Sequence, residues 1–240
     1  MIELIRKDIT LAASVSCFNL YNIESQMCEI ENAGIDMLHF DVVDGHFNDC
    51  IILGTPTLEA LRPHTKLPIE VHLGVNEPEK FIKQFVKAGA DYISVHYEVL
   101  ANPDRIFDMI EAAGAKPVLA LRAETEADKG VIKLLDRVGW ILKLTVNPGY
   151  SGQKFQAETV EKIRRLRKAI EEAGYKTGIQ SDGNMNLKTV PQVVSAGADM
   201  ITGGTSGLFL KDKSIKEAAG ELLSAARSAK RKKSDVRIRG

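Results

Sequence analysis

Imidazole and carboxylate side chains recur at alternate positions of short apolar runs, and these runs hold the chemistry open to the chain. In Leu38-His39-Phe40-Asp41-Val42-Val43-Asp44-Gly45-His46-Phe47, a period of two places Leu38, Phe40 and Val42 on one face and His39, Asp41 and Val43 on the other. Ile69-Glu70-Val71-His72-Leu73 repeats the arrangement, with Glu70 and His72 sharing the face opposite Ile69, Val71 and Leu73. Gly178-Ile179-Gln180-Ser181-Asp182-Gly183 ends in a carboxylate just before a turn glycine. Buried polar groups must find partners, so a single His/Asp strand is either a hydrogen-bonded pair or part of a metal or acid–base site. Together the runs bring two imidazoles and two carboxylates toward one place. That set offers the N and O ligands that zinc, iron, manganese or cobalt accepts. It also offers two carboxylates from separate strands, able to address opposite faces of a flat intermediate. His64, before Thr65, reads as a solvated loop residue, and His46 is a weaker candidate. His96, in Val95-His96-Tyr97-Glu98, is open to either a pocket-lining or a structural role.

The elements that must position these residues follow from a recurring pattern: an amphipathic run, a glycine, then a short apolar run. Gly34, Gly89, Gly114, Gly139, Gly174 and Gly197 sit where helices should stop, with Gly able to take the left-handed conformation. The strand-like runs that follow are Met37–Val43, Tyr92–Tyr97, Pro117–Leu121, Trp140–Val146, Thr177–Ser181 and Met200–Thr202; Ile9–Ser16 and Pro68–Leu73 complete eight. Ile23, Met27 and Ile30, and then Val160, Ile163, Leu166 and Ile170, stand at helical spacing. Asn102-Pro103 predicts an N-cap followed by Pro in the first turn, and Pro56 and Pro78 lie near further helix starts. Eight strands alternating with about eight helices predict a (β/α)8 TIM barrel. A doubly wound open sheet is the alternative, and no Gly-rich turn after the first strand supports it. In a barrel, chemistry belongs at the C-terminal strand ends, where His39, Asp41, His72 and Asp182 all fall.

Composition narrows the class. The 240 residues are 44% hydrophobic and 27% charged, ordinary for a soluble globular protein. No apolar run is long enough to span a bilayer, and no cleavable apolar leader opens the chain. Cys17, Cys28 and Cys50 lack a paired spacing and read as reduced cytoplasmic thiols. The 32 basic and 32 acidic residues balance, but seven of the basic ones lie in 226–240 against Asp235 alone. A body left with net negative charge excludes general nucleic-acid binding. One barrel over residues 1–225 followed by a solvated basic tail over 226–240 is the expected organisation.

Three consecutive loops carry marks of anion binding: Asn147-Pro148-Gly149-Tyr150-Ser151-Gly152-Gln153, then Asp182-Gly183, then Gly203-Gly204-Thr205-Ser206-Gly207. Glycines let backbone N–H groups approach an anion, and a short helix after the last strand would offer its positive end. At Leu38–Phe47, Glu70–Leu73, Val146–Phe155 and Asp182-Gly183 the chain resembles the ribulose-phosphate 3-epimerase family, over nearly its whole length. The resemblance implies a metal-dependent 3-epimerase of a ketose phosphate, a cytoplasmic homo-oligomer with one divalent ion on His39, Asp41, His72 and Asp182. Asp41 and Asp182 would be the acid/base pair, acting through an enediolate. Ser14 would contact substrate, as would His72, and the phosphate would lie at Gly152, Gly183, Gly204 and Thr205, with Gly149 and Ser151 in the same loops.

The chain departs from the family's usual pattern at several points. Val43, Gly74 and Leu144 stand where methionines are common, Asn184 where a second glycine follows Asp-Gly, Ala13 where proline precedes Ser14, and Asn48-Asp49-Cys50 where Val-Pro-Asn is usual. The loss of a side chain at Gly74 predicts a more open pocket roof. Gly204–Phe209 looks like the allulose-6-phosphate branch, so the expected substrate is allulose 6-phosphate ahead of ribulose 5-phosphate. Rival readings are a decarboxylase or aldolase on the same barrel, or a non-catalytic phosphate-binding barrel. Such lyases typically carry Asp-x-Lys-x-x-Asp, where this chain has Asp41-Val42-Val43-Asp44 and no lysine.

Overall fold

A computed structural model describes the backbone of residues 8–239 and the side chains of residues 8–232. Eight parallel strands form the barrel: β1 (Thr10–Ser14), β2 (Met37–Asp44), β3 (Ile69–Gly74), β4 (Tyr92–His96), β5 (Lys116–Leu121), β6 (Trp140–Leu144), β7 (Gly178–Asp182) and β8 (Met200–Gly203). Each pairs with the next in sequence, and β1 pairs with both β2 and β8, which closes the ring. The expected (β/α)8 architecture is the observed one. A two-residue strand, Ile51–Ile52, adds an antiparallel pairing to the end of β2.

The helices are α1 (Ile23–Asn32), α2 (Thr55–Leu61), α3 (Ile82–Lys87), α4 (Pro103–Ala113), α5 (Lys129–Lys133), α6 (Thr159–Glu172), α7 (Val190–Ala196) and α8 (Ile215–Arg239). α4 shows how local sequence sets the boundaries. Asn102 accepts the Arg105 N–H at 3.2 Å, Pro103 opens the first turn, and Gly114 ends the helix at φ 104°. Gly34, Gly89, Gly174 and Gly197 also have positive φ, as expected. Gly139 does not, because α5 has already ended at Lys133 and Gly139 donates to Pro117 O in the approach to β6.

Alternation along the strands divides the core in two. Leu38, Phe40 and Val42 join Ile69, Val71 and Leu73 in the large cluster between strands and helices. The opposite faces fill the barrel, whose lower part is packed with Met37, Tyr92, Trp140, Met200 and smaller apolar side chains. Tyr92 and Trp140 rings lie 4.6 Å apart there. Above this apolar floor the interior turns polar, with His39, Glu70, Ser94 and Gln180 all fully buried.

Two expectations change. The segment after β8 is a turn over 205–208, with the Leu208 and Phe209 N–H groups donating to Gly204 O, where a short helix was expected. The expected boundary at 225/226 falls inside α8. Ala218, Ala219, Leu222, Ala226 and Ala229 form one buried stripe at helical spacing, so the helix stays docked through Ala229, inside the stretch whose basic composition suggested a free tail. Lys230 reaches back across the barrel floor to Asp8 and Asp199. Ala226→Asp should therefore cost about 2–4 kcal/mol and lower Tm by roughly 5–15 °C. Arg231→Asp, on the exposed face of the same helix, should melt close to wild type; two unchanged melting curves would detach the segment from the core.

Candidate active site

The strand register builds the site. His39 pairs in register with Glu70, and Asp41 with His72, so two imidazole–carboxylate pairs stack along the inner faces of β2 and β3. Glu70 is held first. It accepts Ser94 Oγ at 2.5 Å on one oxygen and Gln180 Nε2 at 2.9 Å on the other. His39 Nδ1, 2.8 Å from Glu70 Oε2, donates to that carboxylate, which leaves Nε2 as the nitrogen directed at the mouth.

Asp41 is the centre of the cluster. Its Oδ1 lies 3.0 Å from His39 Nε2 and 3.1 Å from His72 Nδ1. Its Oδ2 accepts Ser16 Oγ at 2.9 Å and Ser14 Oγ at 3.1 Å. Asp182, at the end of β7, brings Oδ2 to 3.7 Å from His39 Nε2. Thr145 pins the backbone there by donating to the carbonyls of Asp182 and Gly183. A Cβ at Gly183 would lie only 2.6 Å from Val146 Cγ2, so the chain can pass this closely only as glycine.

Four ligating atoms, one each from His39, Asp41, His72 and Asp182, lie within 4.8 Å of one another and could hold a metal ion. The donor set fits a borderline divalent cation, and His39 Nε2 meets Asp41 Oδ1 as two electron-rich atoms that need a proton or a cation between them.

Electrostatics separates the two carboxylates. Burial acts to raise the Asp41 pKa, but His39 and the hydrogen bonds from His39 and His72 overcome it and hold the carboxyl well below its usual range. Burial dominates at Asp182 and, with Asp41 nearby, pushes it up to about 6 despite His39. For His39 burial opposes the charged form, yet Asp41 and Glu70 raise its pKa well above the ordinary value.

A cleft opens to solvent above these groups. Of the residues expected to act, Ser14, Asp41, His72, Gly149, Ser151, Gly152, Asp182, Gly183, Gly204 and Thr205 all line it. His39 lies beneath, fully buried. His96 does not line it. It is buried behind His72, its Nε2 2.9 Å from His72 Nε2. His64 is exposed, as expected, and His46 stays in its own exposed turn, beside Asp44.

Sequence reasoning passed over Ser16, Cys17 and Gln153, which also border the cleft, because an isolated Ser or Gln carries no periodic signal. Asn184 proves structural as well as different: at φ 55° it donates Nδ2 to Gln153 O at 2.6 Å, tying two rim loops together. Gly74 does not open the roof. A Cβ there would lie 3.3 Å from Val43 Cγ2 and 3.4 Å from Phe47 Cδ1, so neighbouring side chains already occupy the space.

Comparison with known proteins places this geometry. The model of the ribulose-phosphate 3-epimerase family matches residues 10–209. The chain belongs to the ribulose-phosphate 3-epimerase family. With the family comes the enzyme class, an isomerase that epimerises a carbohydrate. A ribulose-phosphate 3-epimerase from Methanocaldococcus jannaschii is 38% identical over 221 residues, covering 90% of this chain and 93% of the relative. One from Bacillus subtilis is 35% identical over 215 residues, covering 88% and 99%. Among solved structures, 3-hexulose-6-phosphate synthase from Salmonella typhimurium aligns with a TM-score of 0.65 at 16% identity, over 92% of this chain and 100% of that one. That likeness reports the shared barrel alone.

An ion entering the epimerase cluster must displace the proton that His39 retains. Below the raised His39 pKa, Co2+ affinity should therefore fall as pH falls, by up to about tenfold per unit. Calorimetry in buffers of different ionisation enthalpy should read about one proton released per ion. Affinity independent of pH would remove His39 from the ligand set.

Proposed function

We propose that the protein interconverts ribulose 5-phosphate and xylulose 5-phosphate by moving a proton at carbon 3 between Asp41 and Asp182. One observation carries the reading: the two carboxylates enter one cleft from strands three steps apart around the barrel, beside the same pair of imidazoles. Such a pair can serve opposite faces of a planar intermediate, one removing the proton and the other returning it. Asp41, held below the usual carboxylate range, is ionised and so vacant to receive a proton, and the raised pKa of Asp182 suits it to carry one near neutral pH. Which group acts first depends on the epimer that enters.

The remaining residues bind and orient. Ser14 and Ser16 hold Asp41 Oδ2, fixing the carboxylate plane beside the substrate. Gly149, Ser151, Gly152, Gly183, Gly204 and Thr205 surround the far end of the cleft, where glycine-rich backbone suits a phosphate. His39, Asp41, His72 and Asp182 would hold one divalent ion, zinc, iron, manganese or cobalt. When bound, that ion supplies Lewis-acid stabilisation of negative charge developing on the substrate oxygens. The pentose is favoured over allulose 6-phosphate because the expected vacancy at Gly74 is filled by Val43 and Phe47, and because the relatives at 35–38% identity are ribulose-phosphate enzymes.

Asp182→Asn should retain the fold and lower kcat for ribulose 5-phosphate by about 10²–10⁴-fold. Exchange of the carbon 3 hydrogen with solvent should survive from one epimer only, with bound metal measured alongside. Exchange lost equally from both epimers at full metal content would reject the two-carboxylate scheme. A wild-type kcat/KM higher for allulose 6-phosphate would reject the pentose assignment alone.

A further inference from the structure

A chain of hydrogen bonds runs from β6 behind the cleft to the metal-ligand cluster, and the family reading gives it no task. Lys143, buried on β6, donates its ammonium to the carbonyls of Arg122, Ala123 and Thr125. This fixes the loop after β5. From that loop the Arg122 N–H donates to Glu98 Oε1 at 2.8 Å, and the Thr125 hydroxyl donates to the same oxygen. Glu98 Oε2 lies 3.1 Å from His96 Nδ1, and His96 Nε2 lies 2.9 Å from His72 Nε2. His72 Nδ1 then faces Asp41 Oδ1 at 3.1 Å.

Each link restricts the next. A carboxylate offers only lone pairs, so Glu98 Oε2 requires that His96 Nδ1 carry the hydrogen. A neutral imidazole with its hydrogen on Nδ1 has a lone pair on Nε2. The ring is fully buried and packs 4.6 Å from the Phe47 ring, on which the Arg122 guanidinium is stacked at 4.3 Å, surroundings that disfavour a second positive charge. Two imidazole nitrogens 2.9 Å apart can share only one hydrogen, so His72 must supply it from Nε2. Its Nδ1 is left to face Asp41 Oδ1, whose lone pairs call for a hydrogen or a cation between the two atoms, so the hydrogen an ion would replace is the one on Nδ1.

We propose that Glu98 and His96 are positioning residues that set the tautomer of His72, so that Nδ1 is presented to the metal. Glu70 does the same for His39 from the other side, one strand away, with the opposite nitrogen. The proposal rests on the reading of His72 as a metal ligand, but its first test needs no metal.

In metal-free wild-type protein labelled with 15N-histidine, long-range proton–nitrogen correlation should show a hydrogen on His72 Nε2, the nitrogen that faces His96. Glu98→Gln is isosteric and should reverse the relay. Oε1 of the amide stays with the two donors from Arg122 and Thr125, so its NH2 group faces His96. His96 must then accept at Nδ1 and donate from Nε2, which strips the hydrogen from His72 Nε2 and leaves His72 holding one on Nδ1. Co2+ affinity should fall about 10–100-fold, with the Tm of the metal-free protein within a few degrees of wild type. His96→Gln can accept from His72 and donate to Glu98, so it should keep the Nε2–H form and Co2+ affinity within a few-fold of wild type. A wild-type spectrum with no hydrogen on His72 Nε2, or a folded Glu98→Gln variant that keeps that hydrogen and its Co2+ affinity, would overturn the proposal. Wild-type protein that takes no Co2+ would instead overturn the metal reading, and the wild-type tautomer would still decide this one.

Discussion

The pairing register between β2 and β3 is the constraint on which the rest of the site depends. Side chains alternate along a strand, so a slip of one residue would turn His39 and Asp41 toward the helices and bring Leu38 and Phe40 inside. Five apolar side chains on the outer faces of the two strands, Leu38, Phe40, Ile69, Val71 and Leu73, are fully buried and oppose that slip. The cost of burying four polar groups inside is thus carried by packing on the other side of the same sheet. Once the register is set, His39 must meet Glu70 and Asp41 must meet His72.

Burial gives these contacts their chemical consequence. In water an Asp and a His at 3 Å would alter each other's protonation only modestly, because the solvent screens them. At the barrel mouth the same distances drive Asp41 down and His39 up, while Asp182, with fewer hydrogen bonds, is pushed up to about 6. Two carboxylates of the same kind therefore acquire different proton affinities from their surroundings. The apolar floor of Met37, Tyr92, Trp140 and Met200 contributes by closing the barrel to water from below.

The rim shows how substitutions can be absorbed locally. Gly74 stands where the family resemblance implies a methionine, yet Val43 and Phe47 close over the position, and Phe47 also packs on His96. Asn184, where the resemblance implies a glycine, has the left-handed backbone that favours glycine and donates to Gln153 O. At both positions the contacts stay local to the rim, and the four-residue cluster lies below them.

The sequence by itself determined the barrel, its eight strands and the inward direction of His39, Asp41, Glu70, His72 and Asp182. These follow from periodicity and from glycines at helix ends, both local properties of the chain. Strand ends moved by one or two residues and Gly139 misled, because hydrogen bonding with a neighbour decides where an element stops. Only the tertiary structure decided that His96 stands behind His72 and outside the cleft, that Ser16 reaches Asp41, and that α8 stays docked beyond Ala225. The basic composition of that last segment pointed to solvent, while its alanine stripe finds a partner only once the barrel has closed. Contacts of this kind join residues distant in sequence, and their distances are set by closure of the ring, for which no local pattern in the chain encodes a value.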